Sequence, residues 1–514
     1  MRKEHFEKRF DHHRIAASFL GFRALASTFA FCDFPSIMAT FVKPPRTQLS
    51  NTAEASSKLG TTGSEDRGRL LKVLGLWFGI AAAIGNTIAA GIVRTPGDIA
   101  NLLPNPWLFL GVWVLGGIYA LLGASSLAEL GAAIPRSGGQ YNYSQRALGD
   151  YGGFLVGWSD WLSTCGTSAA VAIVIGEYSL AFIPALHLHT RVMLIKVIAV
   201  SVAIGFALLQ WGGVRSGRKA QLVTAAMKTA AFLILVIACF ALGGGLRTAA
   251  ASAHSAPALR AGWPLIVAFL IGLQAVIYTV DGWDGVIYFG EEVKDPGRDV
   301  PRAIFLSVFS IMAIYLLLNA AVLYVLPVGE IAGNIFALGA AANRIFGWLG
   351  DPIIRLIMIV SLLSCINACQ MFSTRVVYAM SCDRLFFRRA SHVNRGGTPV
   401  FALLLSTLVA VIFVLGSFER VIAMLSFFFV ANYTLSYTSL FVLRRREPDM
   451  PRPYRAWGYP WTTGAALIAS AIFLATSLWA DRSNAPLAFG LLVISYPIFR
   501  LFKWSSRSTG SAQQ

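Results

Sequence analysis

Charge is what this sequence has least of. Asp, Glu, Lys and Arg make up 13% of its 514 residues, about half of the roughly 25% carried by a soluble globular chain. Apolar residues reach 56% and the mean hydropathy is +0.63. A core surrounded by water could not hide so much apolar side chain, so lipid is needed as a second solvent. That excludes a soluble enzyme, a nucleic-acid reader and a disordered scaffold. Acids are scarcer than bases, 25 against 43, giving a net charge of +18; this suggests nucleic acid only until the charges are located. Cysteine is sparse too. Cys165, Cys239, Cys365 and Cys369 lie inside apolar runs and read as reduced thiols, not as a disulfide framework. No Gly-Lys pair occurs, which removes the GxxxxGK[ST] loop of an ATP-driven pump. No His-Glu-x-x-His or paired Ser/His or Asp/Asp site sits at depth, so a membrane protease is excluded as well. His187, His189, His254 and His392 lie in loops without metal-ligand spacing. No metal and no cofactor is expected.

What is there is a series of long charge-free windows. They run from Lys72 to Arg94, Asp98 to Glu129, Asp160 to Glu177, Lys196 to Arg215, Lys228 to Arg247 and Arg260 to Asp281. Six more follow, from Arg302 to Glu330, Arg355 to Arg375, Arg395 to Glu419, Arg420 to Arg444, Arg455 to Asp481 and Arg482 to Arg500. A bilayer core takes about 20 residues of helix, so the windows predict an all-α polytopic membrane protein with twelve spans. They do not alternate as barrel strands would. An even number of spans puts both termini on one side. Cytoplasmic termini place 33 Lys and Arg in cytoplasmic segments and 9 outside, with Lys228 inside a span, as the positive-inside rule requires. The basic runs at Arg444-Arg445-Arg446 and Arg384 to Arg389 then face anionic lipid headgroups, with no need of nucleic acid. Residues 1–69 are polar and basic and read as a disordered cytoplasmic tail, with Met38 as an alternative start. The predicted organisation is a first five-helix repeat over 70–245, a second over 260–447, two further helices over 460–503, and a cytoplasmic tail over 504–514.

Two windows carry breakers in their middles. Span 1 reads Gly85-Asn86-Thr87-Ile88-Ala89-Ala90-Gly91, and span 6 reads Tyr278-Thr279-Val280-Asp281-Gly282-Trp283-Asp284-Gly285. Gly and polar residues at such depth make sense where a helix unwinds and its freed backbone groups line a cavity. A half-helix that starts after a break offers bare N–H groups to an anion. One that ends there offers carbonyls to a cation, so a zwitterion suits both. Broken spans five helices apart predict two inverted repeats with the site at their interface; the alternative is a pair of glycine packing seams.

At this point the chain resembles the amino acid–polyamine–organocation family of transporters, in particular its L-type amino acid transporter-like branch. The similarity rests on Gly85 to Gly97, ending Gly-Ile-x-x-Thr-Pro-Gly, and on Ala128-Glu129-Leu130 through Pro135-Arg136-Ser137-Gly138-Gly139-Gln140-Tyr141. It continues through Asp281-Gly282-Trp283 to Glu291-Glu292-Val293-Lys294-Asp295-Pro296 and on to Ile304. Arg375 to Phe387, Thr398-Pro399, Pro451 to Tyr454 and Gly458-Tyr459-Pro460 complete it. The resemblance implies a LeuT-like bundle of five plus five inverted helices, with helices 1 and 6 discontinuous and two helices added at the end. It implies a secondary active transporter of amino acids or related amines working by alternating access. By position, the substrate carboxylate would meet the backbone at Asn86, Thr87, Ala90 and Gly91. The amine would meet carbonyls near Thr87, Tyr278 and Asp281, with Thr279 and Gly282 in the same break and Tyr278 as an aromatic gate. Where the family often has Gly-Ser-Gly, this chain has Ala89-Ala90-Gly91, which removes a hydroxyl donor worth about 1 kcal/mol. Branch members that pair with a heavy subunit use a cysteine in the third external turn. That turn, Pro184 to Arg191, has none, so no disulfide-linked heavy subunit is expected.

Lys228 of span 5 is expensive at its depth unless paired or deprotonated. The resemblance implies that it reaches spans 1 and 8, near Ser361 and Ser364, where it takes the place of a bound sodium ion. Transport would then be sodium-independent, by proton coupling or exchange. The alternative is snorkelling towards Arg218 and Lys219. Asp160 and Glu177 of span 3 are read as structural, with lining of the pathway as the alternative, and Asn367 as either a helix–helix hydrogen bond or a ligand contact. Only Asp281 stands near a break, so no acidic cluster marks a dicationic substrate. A nutrient sensor that binds without transport is the rival function. The expected setting is the plasma (inner) membrane, with an amino acid and lipid as partners.

Overall fold

The computed structural model describes residues 70–183, 187–243, 257–416, 418–480 and 485–511. The tail over 1–69, the start at Met38, and Pro184 of the third external turn lie outside the described residues. All described residues belong to one unit, Thr62–Gln514.

Each charge-free window overlaps an α-helix. In order these are α1 (Leu76–Thr87), α2 (Gly91–Leu102), α3 (Pro106–Ala133), α4 (Gln140–Leu180), α5 (Leu188–Trp211), α6 (Val214–Leu242) and α7 (Trp263–Thr279). There follow α8 (Pro296–Val325), the short α9 (Val328–Ile331) and α10 (Ala337–Phe346), and then α11 (Gly350–Cys382), α12 (Val400–Val414), α13 (Phe418–Arg446), α14 (Trp461–Ala480) and α15 (Ala485–Ser511). Helix starts follow local chemistry. Pro106 occupies the first turn of α3, where its missing N–H is no loss, and the Asn105 side chain accepts from the N–H of Trp107 and Leu108 at 2.9 and 3.2 Å. The 41-residue α4 turns sharply at Gly149, whose φ of 82° suits glycine.

Five helices are long and apolar enough to cross a bilayer, and α1 with α2 adds a sixth as a bent pair. The protein is an all-α integral membrane protein. Its outer surface confirms the solvent inferred from composition. Along α5 only Ala199, Ala203, Ala207 and Gln210 are buried, a single stripe at helical spacing. Met193, Val197, Ile204 and Leu208 are exposed, and so are Ile234 and Ile237 of α6. Aliphatic side chains arranged this way around a helix belong in lipid. Small residues on the buried stripe let α5 approach its neighbours closely.

The longest helix, α4, forms the spine, packed against α11, α13, α5 and α12. α1 lies against α8, α6 and α11, so the first break is enclosed on three sides. At one end of the bundle, short backbone bridges replace helix packing. Leu74 N–H donates to the Glu292 carbonyl (2.9 Å) and Lys294 N–H to the Leu74 carbonyl (3.0 Å), while Ser137 pairs with Phe289. These tie the approach to α1, the turn before α4 and the segment before α8.

Candidate functional site

The first break is a true interruption. α1 stops at Thr87, α2 begins at Gly91, and their axes differ by 50°. The last turn of a helix leaves carbonyls without partners and carries the negative end of its dipole. Here a cation meets them. Lys228 Nζ donates to the carbonyls of Gly85 (2.9 Å) and Ile88 (2.8 Å), with Ile84 further off at 3.4 Å. Ser361 Oγ donates to the same Ile88 carbonyl at 2.7 Å. Lys228 is fully buried, so it does not snorkel; α6 delivers its ammonium to the end of α1. Ser364 is one turn away on α11, but its hydroxyl accepts from Gln221 Nε2 (3.3 Å) and not from the lysine. Gln221 also donates to the Ala81 carbonyl. Asn367 is a helix–helix tie: its amide donates to Gln221 Oε1 (2.8 Å) and the Gly217 carbonyl (3.0 Å).

The second break differs from the expectation of two half-helices. α7 ends at Thr279, Val280 to Asp284 form turns, and one 3-10 turn, Gly285–Tyr288, follows. Two glycines and two aspartates within five residues, Asp281 to Gly285, give a new α-helix no run in which to start. The breaks touch. Gly282 has φ 103°, and a Cβ there would lie 2.3 Å from Asn86 Nδ2; a Cβ on Gly91 would lie 2.9 Å from Thr279 Cγ2. Glycine at both points is what allows the two chains to meet. Thr95 and Thr279 hydroxyls pair at 2.7 Å. Tyr315 of α8 spans both helix ends, its hydroxyl 2.8 Å from the Thr87 carbonyl and 3.2 Å from that of Thr279. The Thr87 carbonyl, expected to face a substrate amine, is therefore already engaged by Tyr315.

A cavity of about 280 Å³ opens where the breaks meet, lined by all eight residues singled out from the two breaks: Asn86, Thr87, Ala90, Gly91, Tyr278, Thr279, Asp281 and Gly282. Along α2 the lining continues to Arg94 and Asp98, one and two turns past Gly91. Arg94 pairs with Glu177 at 3.5 Å, which anchors α2 to α4. Lys228, Ser361 and Ser364 sit behind α1 and do not line the cavity.

Other lining residues were missed. Asp160, Thr164 and Gln140 come from α4, Asn432 and Tyr433 from α13, and Cys369 and Phe372 from α11. Asp160 was read as structural, and no acidic cluster was expected, yet Asp160, Asp281 and Asp284 all line this one cavity. The reason is tertiary: α4 crosses beside the second break, about 120 residues away in sequence. Tyr288 donates to Asp160 (2.9 Å), Tyr433 to Asp281 (2.7 Å) and Gln140 to Asp284 (3.0 Å). The run of small polar residues around Asp160 in an otherwise apolar helix was the available signal.

The start of α1 is closed. Arg375 of α11 holds Glu292 in a two-point ion pair (2.9 and 3.1 Å), with Arg375 1% and Glu292 0% exposed. The guanidinium lies 5.1 Å from the Phe289 ring centre. The pair locks the same segment that bridges to Leu74.

Comparison with known proteins adds the context this geometry lacks. The profile described as "Amino acid permease" matches residues 74–498. The chain is 28% identical to the serine/threonine exchanger SteT of Bacillus subtilis, over 85% of this chain and 98% of that protein. It is 29% identical to mouse Asc-type amino acid transporter 1, covering 76% and 74% of the two chains. It is 28% identical to the mouse large neutral amino acids transporter small subunit 2, covering 89% and 85%.

Proposed function

The chain belongs to the amino acid permease family, and we propose from that premise a secondary active transporter that carries amino acids by alternating access between the two breaks. Amino acid transport is its function. The sensor reading has no support, since the relatives are named as transporters or as an exchanger. One observation carries the mechanism: residues of both breaks line a single cavity. The start of α2 brings unpaired N–H groups and a positive dipole end, suited to a carboxylate. Asp281 suits an ammonium. The proposed architecture is twelve spans, two inverted five-helix repeats over 70–245 and 260–447, and two added helices over 460–503. Its support is the helix over every charge-free window and the spacing of the breaks. The basic loops favour cytoplasmic termini, and the proposed setting is a plasma membrane. We further propose that the ammonium of Lys228, Ser361 and the nearby Ser364 stand where a coupling cation would bind, making transport sodium-independent. Because no cysteine occurs between Pro184 and Arg191, no disulfide-linked heavy subunit is required.

The test is uptake of a radiolabelled amino acid panel by purified protein in liposomes, with and without internal substrate, a proton gradient and sodium. Uptake that needs internal substrate identifies an exchanger, and uptake driven by the proton gradient alone a symporter. Dependence on external sodium would overturn the proposed role of Lys228. Absence of flux for every amino acid would overturn transport itself.

A further inference from the structure

Beyond the two breaks, the cavity has an acidic wall with no cation to answer it. Asp160 and Asp284 each accept a hydrogen bond from a neutral donor, Tyr288 and Gln140. Such donors bring no charge, and carboxyl groups at membrane depth are neutralised by a cation or a proton. Arg94 is the one basic side chain among the described cavity-lining residues, and it is ion-paired with Glu177 one turn along α2 from Gly91. The Lys228 ammonium is spent on the carbonyls of α1. Three cavity-lining residues also carry buried polar atoms without a hydrogen-bond partner. These are Thr87 Oγ1 and Asn432 Nδ2, on residues 4% and 2% exposed, and Asp160 Oδ2, also on a residue 2% exposed.

We infer that the cavity takes an amino acid whose side chain ends in a cationic group, an ammonium or guanidinium held by Asp160 and Asp284. The inference rests on the transport reading above and sharpens it to a substrate class. With Asp281 left for the α-amine, Asp160 and Asp284 remain for a second positive centre. Asp160 Oδ2 is the carboxyl oxygen left without a partner, and Tyr288 fixes the carboxyl plane through Oδ1. A neutral aliphatic side chain would bury both carboxyls against carbon, leaving an acceptor unpaired. The cavity volume is several times the ~30 Å³ share of one water, so a solute is accommodated and not a single bridging water.

The experiment measures binding of L-lysine and L-norleucine, which differ by the terminal ammonium, to the purified full-length protein by competition against whichever labelled amino acid it exchanges. Lysine is expected to bind at least ~10-fold more tightly, the discrimination a site gains from a polar group it was built to pair. In Asp160→Asn and in Asp284→Asn the lysine-to-norleucine ratio falls to within about 3-fold. The wild-type comparison stands even if a variant fails to fold. Norleucine binding as tightly as lysine, with proton uptake from weakly buffered solution, would overturn the inference and make the carboxyls proton carriers. A lysine preference that survives both substitutions would overturn the assignment of these residues. Binding and exchange of no amino acid at all would take down the transport reading, and this inference with it.

Discussion

Replacing Lys228 by methionine keeps most of the side-chain length and removes the ammonium. Three carbonyls then lose a donor, but not equally. The Ile84 carbonyl still accepts from Ile88 N–H at 3.1 Å, and the Ile88 carbonyl keeps Ser361 Oγ at 2.7 Å. Only the Gly85 carbonyl loses the sole partner described for it, at a cost of about 1–3 kcal/mol for a buried unsatisfied group. Against this, the desolvation of a buried ammonium, several kcal/mol, disappears. The two nearly offset, so Lys228→Met is expected to stay folded with stability within about 2 kcal/mol of the parent. Lys228→Ala adds a cavity and should lose a further ~2–5 kcal/mol. Transport should respond differently. Without the lysine, α6 no longer grips the end of α1, and uptake should fall at least ~10-fold, equivalent to 1.4 kcal/mol on the transport step, in both variants. The assay pairs substrate counterflow in liposomes with thermal unfolding in detergent. Lys228→Met with wild-type counterflow would refute the coupling role. A loss of flux that tracks unfolding, larger in Ala than in Met, would mean that the lysine matters only as packing.

Further expectations concern the frame around the site. Gly97→Ala puts a Cβ 2.1 Å from the Asn334 backbone carbonyl oxygen; backbone gives little, so a loss of about 1–3 kcal/mol should appear as a lower melting temperature, and an unchanged melt would contradict the packing described. Glu292→Gln leaves Arg375 buried beside a neutral partner and should cost about 3–5 kcal/mol; a double-mutant cycle with Arg375→Met measures the coupling, and additivity would show that the pair is not a pair. Outside the membrane, the Arg146 guanidinium, bonded to Glu447 at 2.5 and 3.1 Å, holds that carboxyl below its ordinary range. A lowered folded-state pKa stabilises above the unfolded value and is lost as pH falls through the folded one. Arg146→Gln should therefore flatten the acid side of the melting profile, by a small amount because the pair is exposed.

The apolar helices were legible because lipid tolerates so few charges that their ends are marked by them. The breaks were legible because Gly, Asn and Asp together in mid-span are costly in a continuous lipid-facing helix. Side-chain partners across the bundle were not. Nothing near Asn432 and Tyr433 in the sequence says that α13 faces Asp281, and Asp160 looked peripheral because it sits at the edge of its charge-free window. The short 3-10 turn at Gly285–Tyr288 was hidden by the assumption that the second break would mirror the first, when its glycine content favours turns. The place of Lys228 followed from a family resemblance. Its depth in the sequence left snorkelling open, and the full burial of Lys228 against the end of α1 decides between them.

Tyr315 carries one proton and faces two carbonyls, those that close α1 and α7. A single proton cannot serve both at full strength, so the hydroxyl works as a comparator of their positions. At 2.8 and 3.2 Å the balance leans to Thr87. If one end moves away, the hydroxyl can turn its hydrogen bond to the other. Tyr315 thus ties the ends of α1 and α7 to each other, and Tyr315→Phe would remove that tie.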